Sequence, residues 1–422
     1  MAPELVDIAV VGCGVSGATV ALTAAKDGTS VAIFEEHPEV GEPSHCSGHV
    51  GILAFKQYAP SIPKTIIENE IKGAMLYAPN GKSLSLRRPE PVTWVLNRAK
   101  FDRHLATLAV KNGATLHTSS RIEGVRRSEN GLFHIKVGGS KSRSVQCKIL
   151  IDAAGCGGSV AKYVAPPLQN YGIVVNSAQC NVEKLTDVDE NLVELYFGQS
   201  YAPGFFGWII PRRDGSAKVG IAAGARANVR ECFERFVNKH PIVSSKLRHA
   251  KMLTPPRYHP IPVGGASYRT FTDGILSVGD AASQVKPTTG GGIVFGLMCG
   301  RIAGETAATA VRISDTSADR LSSYEKKWRH LIGFDLAAMS WLRRMLYQLP
   351  DRSLDRIFNV AHELKTDEIL SRTADIDFQG RTLLSLARDP RLFITLLSTS
   401  VLSAPSLLRL GTRQSRKSPS SQ

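Results

Sequence analysis

Nowhere in these 422 residues do two cysteines stand close enough in sequence to suggest a metal or redox pair. The seven that exist, Cys13, Cys46, Cys147, Cys156, Cys180, Cys232 and Cys299, are scattered singly and odd in number. That distribution argues against zinc, an iron–sulfur cluster or any bound metal, against a disulfide framework, and for a reducing compartment. Also missing is an uncharged apolar run of the roughly twenty residues a bilayer span requires. The nearest approach, residues 392–408 (LFITLLSTSVLSAPSLL), is interrupted by serine, threonine and Pro405. It reads either as a packed terminal helix or as a helix lying on a lipid surface, with Arg409, Arg413, Arg416 and Lys417 at anionic headgroups. Residues 418–422 read as a frayed tail. There is no internal repeat, no low-complexity tract, and no stretch of interleaved aromatic and basic residues of the kind that reads nucleic acid. Acids are the minority charge, 37 against 52 Lys and Arg, giving a net +15. The expected partner is therefore an anionic substrate or an anionic membrane surface, ahead of nucleic acid. With a strand beginning at Asp7 no signal peptide is expected, so the protein is placed in the cytoplasm, peripheral at the inner face of the cell membrane if lipid is its partner.

What the chain does have is a globular composition, 43% hydrophobic and 21% charged, long enough for two or three domains. Near its start runs DIAVVGCGVSGATVALTAAKDGTSVAIFEE. Residues 8–11 and 31–34 are short apolar runs of strand type flanking a helix that the glycines open. Gly12 permits the turn, Gly14 lets backbone N–H groups approach a pyrophosphate, and Gly17 allows close packing of helix on strand. The helix start supplies partial positive charge for the phosphates. Glu35 closes the second strand where a ribose 2′-hydroxyl is held, and an acid there disfavours a 2′-phosphate. The motif in this context predicts a dinucleotide site that is not built for NADP.

Further along, residues 79–82 (Pro-Asn-Gly-Lys) predict a hairpin, 97–110 a helix, and 121–151 a three-stranded meander turning at Asn130-Gly131. Residues 171–221 alternate like an antiparallel sheet, 274–308 return to strand, loop and helix around Gly279, Asp280 and the run Gly290-Gly291-Gly292, and the chain beyond 314 reads as helical.

Three separated motifs, the glycine turn with Glu35, the helix RAKFDRHLA at Arg98, and VGDAASQVKPTTGGGI, together resemble the FAD-containing hydroxylase and reductase superfamily. Within it, HCSG at His45 to Gly48 and YFGQSYAPGFFGWIIP from Tyr196 to Pro211 resemble the geranylgeranyl reductase family, in particular the archaeal type that acts on digeranylgeranylglycerophospholipids. The resemblance implies an α/β fold: a Rossmann-like FAD-binding domain (1–70, 96–165 and 258–312), an inserted antiparallel-sheet substrate domain (71–95 and 166–257) and a C-terminal helical region (313–422). It places FAD against Gly12, Gly14, Ser16, Gly17 and Glu35, with Arg98 at the pyrophosphate and the backbone near Ile122 at the adenine. Asp280 falls on the ribityl or pyrophosphate part, and Gly291, Gly292 and Ile293 fall beside the isoalloxazine, where N–H groups at a helix start stabilise a reduced ring. The loop Cys46, Ser47 and Gly48 reaches the flavin. Plain alternatives stay open: Arg98 as a surface ion pair with Asp102 one turn on, and Asp280 as a helix cap.

Two departures bear on mechanism. The superfamily's second nucleotide motif ends in Asp-Gly, but IDAAGCGGS puts Ala154 before Gly155, which weakens the case for NADPH as direct donor. The aromatic motif, usually Tyr-x-Trp-x-Phe-Pro, reads here Phe206, Trp208, Ile210 and Pro211, so an apolar wall is kept but a phenol is lost.

The implied reaction saturates isolated alkenes of a polyprenyl lipid. With no carbonyl to polarise the double bond, a proton must reach one carbon as the other takes hydride, and a free thiol is protonated at neutral pH. Cys46 is the candidate donor or relay, with His45 to tune or reload it; the alternative is a small buried filler. Tyr196, Phe197, Tyr201, Phe205, Phe206, Trp208 and Pro211 are candidates for the substrate wall, or else for an ordinary sheet core. The flavin's electrons would come from ferredoxin, a reduced nicotinamide or a deazaflavin. A flavin monooxygenase or halogenase of the same fold is the second reading, and would need oxygen rather than a thiol acid.

Overall fold

The computed structural model describes residues 4–139, 143–157, 160–163, 168, 171–265, 269–373 and 377–379. The segment 392–408 and the expected tail at 418–422 lie outside them. The chain divides into two compact units, the first built from residues 1–68, 94–174 and 260–337, the second from 69–93, 175–259 and 338–422.

In the first unit the sheet runs Phe271–Thr272, Ile275–Ser277, Arg143–Asp152, Glu4–Val11, Val31–Phe34, Thr115–His117. Glu4–Val11 pairs in parallel with Val31–Phe34 and Arg143–Asp152, as crossover connections require. The expected meander forms as Ile122–Arg127, Phe133–Val137 and Arg143–Asp152, antiparallel throughout. The helix Val15–Lys26 lies against the long helix Ile293–Arg312. Their contact explains three glycines that periodicity alone does not single out. A Cβ on Gly296 would sit 2.7 Å from the Ser16 hydroxyl, one on Gly300 2.8 Å from the Ser16 carbonyl, and one on Gly304 2.7 Å from the Val20 carbonyl. Spaced four apart, these glycines form one stripe of the helix, and only a hydrogen there lets the two backbones approach so closely.

In the second unit the sheet runs Lys251–Met252, Val174–Glu183, Ser216–Gly224, Phe206–Pro211, Leu192–Phe197, Gly73–Tyr77, Ser83–Arg87. The expectation of an antiparallel sheet needs one correction: Leu192–Phe197 pairs in parallel with Gly73–Tyr77, so the sheet is mixed. The hairpin at 79–82 forms, with Ala78 donating to the Lys82 carbonyl. One face is covered by the helix Val229–Lys239, whose Cys232, Phe233 and Phe236 pack on Tyr196, Ile209, Val219 and Ile221.

The boundaries also differ from the sequence reading, and the helical region is no third unit. Ala318–Trp328 belongs to the first unit because its large side chains are fastened there: Tyr324 donates to the Ser277 carbonyl at 2.9 Å and Trp328 to the Thr270 hydroxyl at 3.0 Å. Asp351–Glu363 belongs to the second, with Phe358 and Ala361 packed on Leu76, Leu84 and Phe197.

A buried histidine gives the second unit a pH limit. The His240 Nδ1 accepts the Val243 N–H at 3.3 Å and so caps the helix Pro241–Lys246, a role that needs an unprotonated nitrogen. Burial pushes its value from 6.5 down to about 4. Above 6.5 the ring is neutral folded or unfolded and contributes nothing; between 6.5 and about 4 only the unfolded chain takes the proton. Stability is therefore expected to fall with pH across that window, by at most about 1.4 kcal/mol per unit. Thermal melts from pH 7 to 4.5 check this: His240→Asn, which keeps a capping acceptor, should show a shallower decline than wild type, and parallel declines would contradict it.

Candidate active site

The dinucleotide turn is dictated by packing at two glycines and left open at the third. Gly12 has φ +95°, and a Cβ there would lie 2.5 Å from the Ala153 carbonyl oxygen. A Cβ on Gly17 would lie 2.0 Å from the Gly12 carbonyl oxygen and 3.2 Å from the Ala153 methyl. Gly14, by contrast, faces open space and precedes a helix with no side-chain cap, so the first-turn amides are left for a ligand. The Ser16 hydroxyl lies beside Gly279 and Gly296, where an added Cβ would come within 2.2 and 2.7 Å of it. Its side chain therefore has a packing role that the expected cofactor contact did not include.

Glu35 follows the strand Val31–Phe34, with one carboxylate oxygen on the glycine turn and the other on His37. One accepts the Cys13 N–H at 2.8 Å; the other accepts the His37 N–H at 3.0 Å and faces His37 Nδ1 at 2.7 Å. His37 is a partner the sequence reading did not foresee. Oε2, which among the described residues accepts only the Cys13 N–H, keeps a lone pair for a ribose hydroxyl. Burial and the Glu35 charge push the Cys13 thiol well above its usual range, which keeps it neutral. The Ile122 side chain is buried in the core with Phe34 and Phe133, leaving only its backbone for a ligand.

The HCSG loop is held by close backbone contact. Gly48 has φ +74°, a Cβ there would lie 2.1 Å from the Leu96 carbonyl oxygen, and Leu96 N–H donates to the Gly48 carbonyl at 2.9 Å. Leu96 stands two residues before Arg98, the first residue of the helix Arg98–Lys111, which Asn97 caps through the Lys100 N–H at 3.0 Å. Cys46, two residues before Gly48, is carried to the same place, and its sulfur accepts the Gly48 N–H at 3.4 Å. His45 lies on the same loop with Nδ1 3.2 Å from the Pro43 carbonyl, and the Ser47 hydroxyl accepts the His49 N–H at 3.5 Å.

The ion pair of Arg98 with Asp102 forms at 3.1–3.3 Å, but not at the surface: the side chains are 16% and 8% exposed. Burial opposes the guanidinium charge, yet Asp102 foremost and the nearby Cys46 more than restore it, holding Arg98 above its ordinary value. Burial pushes Asp280 up to about 6, with Arg98 pulling the other way. One guanidinium thus bears on Cys46, Asp102 and Asp280 together.

Asp280 does not cap the helix Ile293–Arg312, which has no side-chain cap. Its Oδ1 instead fits the space beside Gly292, where a Cβ would sit 3.0 Å away, and a Cβ on Gly291 would strike the buried Lys286 side chain at 2.6 Å. Ile293 is buried at the helix start. Thr289 Oγ1 in this loop is buried with no hydrogen-bond partner among the described residues, as expected of a group whose partner is a ligand. At the second motif, Ala154 donates to Asp152 at 3.3 Å, and burial next to Asp280 pushes the Cys156 thiol up to about 11. Tyr171, which the sequence gave no reason to notice, accepts the Gly157 N–H at 2.8 Å. Two uncapped helix starts, the acid at Glu35 and the orphaned Thr289 hydroxyl fit FAD.

In the second unit, alternation along Phe206–Pro211 separates the candidate wall into two faces. Gly207 and Ile209 face the helix Val229–Lys239, where a Cβ on Gly207 would be 2.5 Å from the Phe236 ring, and Pro211 falls on that face too. Phe206 and Trp208 point the other way. The Trp208 indole lies over Gly220 and donates to Gln179 at 3.0 Å, so its position is fixed across three strands. Pro211 is thus off the face of Phe206 and Trp208, and two further expected wall residues are corrected. Tyr196 is buried under the helices, stacked on Tyr77 and donating to Glu194, and Tyr201 packs on His240 with its hydroxyl on the Lys239 carbonyl at 3.2 Å. In their place the cluster gains Tyr347 and Arg343: Phe205 stacks on Phe206 at 4.4 Å and on Tyr347 at 5.5 Å, and Arg343 lies over Phe205 while donating to the Gly204 carbonyl at 2.9 Å. Gln199 ties this loop to the carbonyls of Tyr347 and Leu349, a long-range lacing that no local pattern announces.

The fold and the turn-and-loop geometry define an FAD-dependent oxidoreductase. Residues 7–164 match the FAD-dependent oxidoreductase family and 174–254 the geranylgeranyl reductase catalytic domain. The chain belongs to the geranylgeranyl reductase family. It is 30% identical over 360 residues to the digeranylgeranylglycerophospholipid reductase of Methanocaldococcus jannaschii, covering 84% of this chain and 90% of the relative. It is 33% identical over 354 residues to reductase 2 of Methanothermobacter thermautotrophicus, with 83% and 90% covered. Among solved structures it is similar to a geranylgeranyl bacteriochlorophyll reductase-like protein of Thermoplasma acidophilum, with TM-score 0.80, 26% identity, and 94% and 99% of the chains covered. A flavin-dependent brominase shares the fold, with TM-score 0.69, 15% identity, and 91% and 98% covered.

Proposed function

We propose that this protein saturates the double bonds of geranylgeranyl chains in digeranylgeranylglycerophospholipids or their geranylgeranyl precursors, with the proton coming from or through Cys46. The observation that supports the reading is a thiol that is not buried and that accepts the Gly48 amide, on a loop whose glycine admits no side chain beside Leu96. Reduced FAD, when bound, supplies hydride from N5. What this chain must add is an acid, because an isolated alkene offers no oxygen to hold developing charge. Cys46 is one of two cysteines that are not buried, so water can return its proton; His45 on the same loop is the residue to assist that return. Thr289, Lys286 and the amides at Gly291 and Gly292 are suited to hold the cofactor, and Phe206 and Trp208 offer the apolar face that a prenyl chain needs.

A lipid substrate and a net charge of +15 support work at an anionic membrane surface. No helix among the described residues is long and apolar enough to cross a membrane, so the association proposed is peripheral. The likeness to halogenases is one of fold and carries no oxygen chemistry to this chain.

The test is anaerobic: photoreduced enzyme is mixed with a geranylgeranyl phospholipid and the flavin spectrum followed. Reoxidation without oxygen, with saturated lipid found by mass spectrometry, is the expected result. Reoxidation only on admitting oxygen would remove the reductase reading in favour of a monooxygenase.

A further inference from the structure

We infer that Gln284 and Tyr324 are positioning residues for FAD: together they hold the turn Gly279–Ala282, and with it the two uncapped helix starts, at the spacing one dinucleotide must span. Because this concerns how FAD is held, it stands or falls apart from the role of Cys46. Tyr324 comes from the helix Ala318–Trp328, which no sequence signal tied to a cofactor.

The turn touches both openings. A Cβ on Gly279, which has φ +69°, would lie 2.2 Å from the Ser16 hydroxyl in the first turn of the helix Val15–Lys26. A Cβ on Gly292, which immediately precedes the helix Ile293–Arg312, would lie 3.0 Å from Asp280 Oδ1. Whatever fixes the turn therefore fixes the two sets of amides relative to each other. Gln284 grips Gly279 through both of its backbone polar groups: the Gln284 N–H donates to the Gly279 carbonyl at 3.0 Å, and Oε1 accepts the Gly279 N–H at 2.8 Å. Its Nε2 donates to the Tyr324 hydroxyl at 2.8 Å, and that hydroxyl donates in turn to the Ser277 carbonyl at 2.9 Å. A hydroxyl has one proton, so its donation to Ser277 obliges Gln284 to turn its nitrogen toward Tyr324 and its oxygen toward Gly279. Both side chains are fully buried, and solvent does not compete for these bonds.

The grip matters because the turn ends in a conformation that its last residue resists. Ser283 has φ +54°, where a side chain is unfavourable, and its buried hydroxyl has no hydrogen-bond partner among the described residues to offset that cost. Without the bonds from Gln284 and Tyr324, Ser283 is free to return to an ordinary conformation, which carries Asp280 away from Gly292. The helix start then loses its place opposite the glycine turn.

The test uses the full chain stripped of flavin, with FAD titrated by fluorescence quenching and melting measured on the same apoproteins. Tyr324→Phe, which deletes the hydroxyl and little volume, should weaken FAD binding by about tenfold or more, the size expected when buried partners are left unpaired. Ser283→Gly added to Tyr324→Phe should restore most of that affinity, since glycine takes φ +54° unaided, whereas Ser283→Ala should restore none. Trp328→Phe removes a buried hydrogen bond that the same helix makes to Thr270, so it should lower the melting temperature comparably and leave FAD affinity unchanged. Wild-type affinity in Tyr324→Phe overturns the inference, and so does a loss that Trp328→Phe reproduces or that Ser283→Gly fails to rescue. Should Tyr324→Phe not fold, Gln284→Met, which keeps the length of the side chain and loses both of its bonds, is put through the same comparisons with the same outcomes.

Discussion

Cys46→Ser is expected to stay yellow and to lose prenyl saturation by about 10²–10⁴-fold, the range that a positioned acid contributes. Serine is nearly isosteric and can accept the same bond from Gly48, so the loop and the flavin site should persist. What it cannot do is release a proton readily, since an aliphatic hydroxyl is a far weaker acid than a thiol. Flavin content by absorbance and a single anaerobic turnover by lipid mass spectrometry measure the two quantities separately. Cys156→Ser is the control, since Cys156 is the other cysteine that is not buried and it lies near Asp280. A Cys46→Ser enzyme keeping more than a tenth of wild-type activity would show that the proton comes from elsewhere.

The second large effect separates two glycines of one motif. Gly17→Ala forces a methyl to within 2.0 Å of the Gly12 carbonyl oxygen, so backbone must shift and the turn opens. Overpacking of this kind costs about 1–3 kcal/mol, or roughly 2–10 °C in melting temperature for units of this size. Gly14→Ala meets nothing within 4 Å and has φ −73°, a conformation alanine adopts freely. The flavin-free Gly14→Ala protein should therefore melt within about 2 °C of wild type, yet its methyl occupies the opening through which the pyrophosphate approaches, so FAD affinity should drop by at least tenfold. Melting of the two apoproteins and FAD titration by fluorescence quenching check the pair. Equal loss of stability in both would mean that the open space at Gly14 is not the phosphate site.

Much of this was legible along the chain because each signal is local. Gly12, Gly14, Gly17 and Glu35 lie within one strand-helix-strand unit, and the meander and the hairpin announce themselves by alternation and turn residues. The site was less legible where its parts come from distant segments. The burial of Arg98 and Asp102 depends on where a loop fifty residues earlier is laid down. Tyr196 and Tyr201 read as wall residues because they sit in an aromatic stretch, but strand phase and a loop turn send their side chains beneath the helix Val229–Lys239. Arg343 and Tyr347 were invisible because they join Phe205 from some 140 residues away.

The sequence by itself determined the class: a glycine turn that binds a dinucleotide and an acid that selects against a 2′-phosphate, with FAD implied by the family resemblance that the late GD motif and glycine run complete. It also determined the thiol, because HCSG is a contiguous string. The tertiary structure alone decided that the Arg98–Asp102 pair is buried, that the Ser16 hydroxyl lies against Gly279 and Gly296, and that only part of the aromatic stretch shares a face. The division has one physical cause. Backbone conformation and amide chemistry are set by neighbours in the chain, whereas the charge beside a sulfur, or the face on which a ring is buried, is set by whichever distant segment packs against it.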